Sequence, residues 1–226
     1  MEMRYCETFA GCHRRTHRTA CAKPEQDKRF GRTSSQPLEM NELLPDKVRS
    51  AEEIARRSLA LFGVVGLALD APRLEIISWL RDEGLWDELT PWELAYVSAE
   101  KPAERQTVIA SWMSEALVVL LWALRKVETL PAPNEQCDTS LFQELLPPFA
   151  DMPAAQFIAF AERRSDDALH EMAYEVMHLH WQARDAQIHS KPVPHVDIEI
   201  IQERHHAINW VIGYDALPWD EVTTDT

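Results

Sequence analysis

The sequence predicts an all-α fold: a single compact domain of about seven to eight helices around a central apolar helix at 102–127. Three observations predict it. Apolar residues recur at helical spacing in long windows free of proline, and prolines at 72, 91, 102, 131, 133, 147, 148, 153, 192, 194 and 218 punctuate those windows. Glycine is scarce, with six in 226 residues, and turn pairs such as Asn-Gly are absent, which argues against hairpins. The stretch from Ala116 to Leu124 is apolar on every helical face, as in a helix with neighbours on all sides.

The first helix is expected from about 46–50 to 69, opened by a Ser50/Glu53 capping box, with Gly63 and Gly66 marking close approach to a neighbour. A second follows Asp70 and Pro72 and stops at Gly84, with Leu74, Ile77, Trp79 and Leu80 as its apolar positions. Thr90-Pro91-Trp92-Glu93 is another capping box and starts a short third helix. The fourth, Pro102 to about Val127, is the central one, and a proline-rich loop at 129–138 follows. Short helices near 140–146 and 153–163 lead to a long one at about 166–189. The last spans about 197–212 and ends at Gly213. Val196 to Ile200 alternates like a strand, but no second strand accompanies it, so it reads as the start of that helix. Most of the eight tryptophans are expected to be core and helix-packing residues, and Trp219 is expected to dock the C-terminal tail onto the body.

Residues 1–39 differ in character. They carry eight Lys/Arg against five acids and lack apolar periodicity, so they read as a disordered leader or an over-extended start, with Met40 opening the domain at 40–226. Cys12, His13, His17 and Cys21 lie in this segment at a spacing that matches no strong zinc pattern.

The whole chain has 23 Lys+Arg and 37 Asp+Glu, a formal charge of −14. Such a field opposes nucleic acid and anionic lipid and favours a protein partner with a basic surface, although an acidic surface also serves solubility alone. The longest apolar runs, Leu59–Leu69 and Ala116–Leu124, fall short of the ~18 residues a membrane span needs. Three of the four cysteines fall within the first 21 residues, so the rest of the chain makes no internal disulfide, and a reducing cytoplasm is expected.

Standard catalytic signatures are missing. There is no Gly-rich phosphate loop, no Gly-x-Ser-x-Gly and no Cys-x-x-Cys, and His170-Glu171 is followed by Tyr174 where a zincin needs histidine. Cys137 reads as an ordinary thiol. Glu175/His178 and Glu203/His206 have the spacing of a di-iron bundle, with Glu115 and Glu93 as further ligands. Nine histidines produce that spacing by chance, so no metal is assigned and the cofactor is left unknown. The candidate site is instead a polar cluster of Glu115, His180, Trp181, Arg184, Asp185, Glu203, Arg204, His205 and Trp210. Glu115 enters the all-apolar part of the central helix, where an unpaired carboxylate is too costly, and Arg184 and Arg204 are its natural partners. Such a cluster is either a buried ion-pair network that sets helix register or a polar pocket for a ligand.

At these residues the chain resembles a known family. Glu203-Arg204-His205-x-Ala207-x-Asn209-Trp210, then Trp219-Asp220-x-Val222-x-Thr224-Asp225-Thr226, is similar to the closing signature of the family called domain of unknown function 4272 (DUF4272). Trp79-Leu80-x-x-x-Gly84-Leu85-Trp86, Trp112-x-x-Glu115-Ala116-Leu117 and His180-Trp181-x-x-Arg184-Asp185 match as well, and the resemblance covers roughly 45–226. The family pattern has arginine where this chain has His178, which weakens the di-iron reading. The resemblance implies a bacterial, cytoplasmic helical domain and carries no activity, substrate or cofactor. Two functions are therefore expected: a non-catalytic binding or accessory protein, of immunity type among others, or an enzyme or ligand-binding domain that uses the Glu/Arg/Asp/His cluster.

Overall fold

The computed structural model describes residues 47–150, 152–191 and 193–226, and among them there are eight α-helices and no strand. Residues 1–39 and the Cys12/His13/His17/Cys21 set lie outside the described residues.

Local chemistry starts and stops the helices close to the expected places. Helix α1 (Ala51–Ala68) opens on Ser50, whose hydroxyl accepts from the Glu53 amide while the Glu53 carboxylate accepts from the Ser50 amide. Helices α2 (Arg73–Asp82) and α3 (Pro91–Ser98) follow, the latter on the Thr90/Glu93 box with Pro91 in its first turn. Helix α4 (Glu104–Ala123) is shorter than expected, because the chain turns at Arg125 in the left-handed region (φ 61°). Arg164 covers its exposed end, donating from Nε to the Trp122 carbonyl at 2.9 Å. Short helices α5 (Ser140–Leu145) and α6 (Ala154–Ala159) precede α7 (Asp166–Ile188), which opens on Ser165. Helix α8 (Ile198–Ile212) opens on Asp197, so the alternating Val196–Ile200 stretch is indeed a helix start.

Packing follows from the apolar faces. Helix α4 is buried continuously from Ser114 to Ala123 and is flanked by α1 and α8, while α7 packs on the far side of α8. Fully burying each large side chain contributes roughly 1.5–3 kcal/mol, so this segment supplies a large share of the core. By length and mean hydropathy (1.4) α4 also meets the test for a membrane-spanning helix, but 61% of that window is buried against the other helices. The packing accounts for its apolarity. Gly63 does mark a close approach: a Cβ there would stand 3.1 Å from a Leu80 methyl.

Leu74, an apolar position of α2, is nevertheless 80% exposed, because α2 packs on the body through Ile76, Ile77, Trp79 and Leu80. Of the eight tryptophans Trp122, Trp210 and Trp219 are buried and Trp79, Trp86 and Trp92 pack half-buried against the core, whereas Trp181 is 51% exposed.

The start of the described chain is anchored to the end of α8. The Arg49 amide donates to the Val211 carbonyl at 2.9 Å, and Arg49 Nη2 reaches the Leu217 carbonyl at 2.7 Å. Gly213, at φ 76°, makes this approach sterically feasible, since a Cβ there would lie 2.2 Å from the Lys47 carbonyl oxygen. Gly213→Ala is expected to cost about 2–4 kcal/mol, from left-handed strain plus displacement of that backbone segment. Denaturant unfolding measures it; a loss under about 1 kcal/mol contradicts the contact.

Candidate functional site

Helix α8 carries four ionisable residues in a row, Glu203 to His206. At about 100° per residue they point to different sides. Glu203 and His206, three apart, share one face, whereas Arg204 and His205 turn towards α4 and α7.

Arg204 meets Glu115 of α4. Its Nε and Nη2 donate to one Glu115 carboxylate oxygen at 3.0 and 2.8 Å, and the two residues are 2% and 1% exposed. The other carboxylate oxygen accepts from the Cys137 amide at 2.7 Å. The remaining guanidinium donors reach the carbonyls of Pro131 (2.7 Å), Ala132 (3.3 Å) and Glu135 (2.9 Å). Every one of these partners lies in the proline-rich 131–137 loop, so the pair also ties that loop down. Burial, with Glu115's charge beside it, pushes the Cys137 thiol up to about 12, leaving it unreactive.

His205 meets His180 of α7, Nδ1 to Nδ1, at 3.0 Å, and both rings are buried. Only one of those nitrogens carries a proton. The Asn209 amide nitrogen donates to the Thr223 carbonyl at 3.0 Å and also lies 3.2 Å from His205 Nε2, which must therefore accept. His205 then donates from Nδ1 to His180. That leaves the proton of His180 on Nε2, a buried atom with no partner. Burial lowers both imidazole pKa values; the Arg184 charge adds to the effect on His180, and the neighbouring His180 and His206 take His205 to about 4.

The other cluster members are dispersed. Arg184 is exposed and does not reach Glu115. Asp185 faces His189 at 3.1 Å. Trp181 lies on the surface of α7 in a ladder of stacked rings with His178 and Tyr174. Trp210 packs edge to face on Trp219 at 5.4 Å and holds Arg49 over its ring. The di-iron set is not assembled: Glu115 is taken by Arg204, Glu93 by Arg57, and no group of three or more His, Cys, Asp or Glu suited to a metal occurs among the described residues.

The Arg57–Glu93 ion pair is a second buried pair that sequence reasoning missed. Its signal was available, since Arg57 interrupts the apolar face of α1 between Ile54 and Leu61 just as Glu115 interrupts α4. Arg57 also lies over the Trp219 ring at 4.5 Å, and His206 Nε2 donates to the Trp219 carbonyl at 2.9 Å. Together these contacts hold the C-terminal tail beside α8.

Tail and helix do not close completely. A groove of about 490 Å³ remains, walled by Trp92 of α3, Met113 of α4, Glu203 and His206 of α8, and Trp219 and Asp220 of the tail. The Glu203 carboxyl has no hydrogen bond or ion pair among the described residues. Burial, then the charge of Glu115, raises its pKa to about 7. Burial lowers the pKa of His206, so its ring is neutral at pH 7, with the proton on Nε2 and Nδ1 left as an acceptor.

Residues 35–222 match the family described as domain of unknown function (DUF4272). The chain belongs to the DUF4272 family. No curated protein and no solved structure is significantly similar to it. In this DUF4272 chain the closing signature divides between two sites: Arg204, His205, Asn209 and Trp210 are buried, whereas Glu203, Trp219, Asp220, Val222 and Thr224 line the groove.

Two outcomes follow from the buried groups. Arg204→Ala strands the Glu115 carboxylate and is expected to cost about 3–5 kcal/mol by chemical unfolding, since that buried charge loses the cation paired with it. The histidine pair gives a pH dependence. Its folded pKa values lie below the ordinary 6.5, so below pH 6.5 the unfolded chain takes up protons that the folded chain refuses. The associated stability is intact above pH 6.5 and lost as pH falls to about 4, up to about 3 kcal/mol for His205. Imidazole NMR signals of His205 that move between pH 7.5 and 5.5 would contradict this.

Proposed function

We propose that the protein is a non-catalytic binding module, of the accessory or immunity kind, whose groove beside α8 receives a lysine or arginine side chain of a basic protein partner. The observation that carries this reading is the unpaired Glu203 carboxyl in an indole-walled groove. Folding leaves that group in an environment that disfavours its charge, and a bound cation would supply what is missing. Asp220 adds a second carboxyl at the same groove, and the half-buried Trp92 indole on its wall adds a ring that attracts cations. The chain's net charge of −14 steers a basic surface towards it.

The enzyme reading built on the Glu115/Arg204 cluster has less support. Those groups satisfy one another inside the core, which is the behaviour of a structural network. A second reading rests on the groove itself: Glu203, titrating near neutrality and three residues from neutral His206, also suits general acid–base chemistry on a small ligand.

Short peptides carrying two lysines or two arginines, titrated against tryptophan fluorescence, test the binding reading. Saturable binding is expected, weakening from 50 to 500 mM salt, with proton release near pH 7 as Glu203 ionises. Glu203→Gln/Asp220→Asn is expected to weaken it at least tenfold, while a glutamate peptide does not bind. Equal binding of basic and acidic peptides, or indifference to the double variant, overturns the reading.

Loss of binding in that variant is separable from loss of fold. A raised carboxyl pKa contributes stability that is present below the unfolded value of 4.5 and lost as pH rises through 7. Glu203→Gln is therefore expected to be more stable than the wild type at pH 8, by about 1 kcal/mol after solvent screening, and not at pH 4.

A further inference from the structure

A cavity of about 350 Å³ lies between the second half of α1, helix α2 and the segment from α5 to Phe149, and it shares no residue with the groove beside α8. Its size falls in the range of small-molecule sites, roughly 300–1,000 Å³. Four aromatic side chains wall it: Phe62, Trp79, Phe142 and Phe149. Phe62 meets Trp79 at 6.1 Å and Phe149 at 6.2 Å, both edge to face, so three of the rings form one connected corner. Phe142 is buried, but Phe149 is 60% exposed. A phenylalanine so exposed beside an apolar recess leaves hydrocarbon surface in water that an occupant would cover.

Two carboxylates stand at the same recess. Asp70 lies in the turn between α1 and α2 in the left-handed region, at φ 67°, and Glu75 lies in the first turn of α2. Both are exposed, and neither has a hydrogen bond or ion pair among the described residues. Arg73, the cation nearest to them in sequence, is engaged elsewhere, donating to the Val97 carbonyl at 2.8 Å. An aromatic recess lined by two carboxylates, with no Lys or Arg among the described residues that line it, has a definite complement.

We propose that this recess binds a small apolar ammonium ion, an aryl- or alkylamine whose hydrocarbon body lies among the four rings and whose charge meets Asp70 and Glu75. Aromatic faces favour a cation over a neutral group of the same shape, and the carboxylates reject an anion. The binding is independent of any partner at the α8 groove.

The test is calorimetric titration of the full chain at pH 7 with three probes of one shape: phenethylamine, 2-phenylethanol and phenylacetate. The amine is expected to bind at least tenfold more tightly than phenylacetate, with the alcohol between them. Asp70→Asn/Glu75→Gln is expected to remove the amine's advantage over the alcohol and leave the alcohol's affinity intact. Phe149→Ala is expected to weaken the amine and the alcohol at least fivefold. All three replaced residues are exposed, and the Tm of each variant checks that the fold persists. Glu203→Gln/Asp220→Asn is expected to bind phenethylamine as the wild type does; loss of binding there would move the amine to the other groove and overturn the proposal. So would absence of saturable binding, equal binding of the three probes, or a Phe149→Ala variant that binds undiminished. Self-association of the chain that Phe149→Ala abolishes, without probe binding, would assign the recess to a second copy and overturn it equally.

Discussion

A carboxylate on a helix that is otherwise apolar on every side must find a cation, or the helix cannot be buried there. Glu115 finds Arg204, and much of the polar structure depends on that pairing. The two side chains neutralise each other between α4 and α8, and their spare hydrogen-bonding groups take the Cys137 amide and the carbonyls of Pro131, Ala132 and Glu135. A loop without regular structure is thereby given defined partners for its backbone. Prolines at 131 and 133 suit this role: they stiffen the chain and leave carbonyls free to accept.

Once Arg204 is fixed against α4, the helical repeat sets the direction of its neighbours. His205 turns to His180 and links α7, and Asn209, one turn later, holds both His205 and the Thr223 carbonyl. His206 turns to the Trp219 carbonyl, where Arg57 supports the indole from α1. The buried polar groups in these contacts are therefore ties between elements. Glu203 belongs to the same four-residue run, yet its half-buried carboxyl opens into the groove without a partner among the described residues.

The elements themselves were readable. Capping boxes at Ser50/Glu53 and Thr90/Glu93, the Asp197 start and the Gly213 stop are local chemistry, decided by residues within one turn of each other. The centrality of α4 was readable too, because an all-round apolar helix has only one stable environment. The misreadings have a common cause. Leu74 occupies an apolar position of α2 but faces water, and Trp181, placed in the polar cluster by its spacing, lies in a surface ring ladder. Periodicity specifies which residues share a face; it does not specify whether a neighbour covers that face.

The same limit divides the site. The sequence by itself determined that Glu115 required a cation and that Glu203 and His206 share a face of the last helix, since burial cost and the 3.6-residue repeat are properties of one helix alone. Only the tertiary structure decided that the cation is Arg204 and not Arg184, that Arg57 and Glu93 form a second buried pair, and that the tail docks on α8 yet leaves a groove beside it. Those outcomes depend on helix crossings and on where a distant segment comes to rest. They are set by the packing of the whole core and leave no mark in the local spacing of residues.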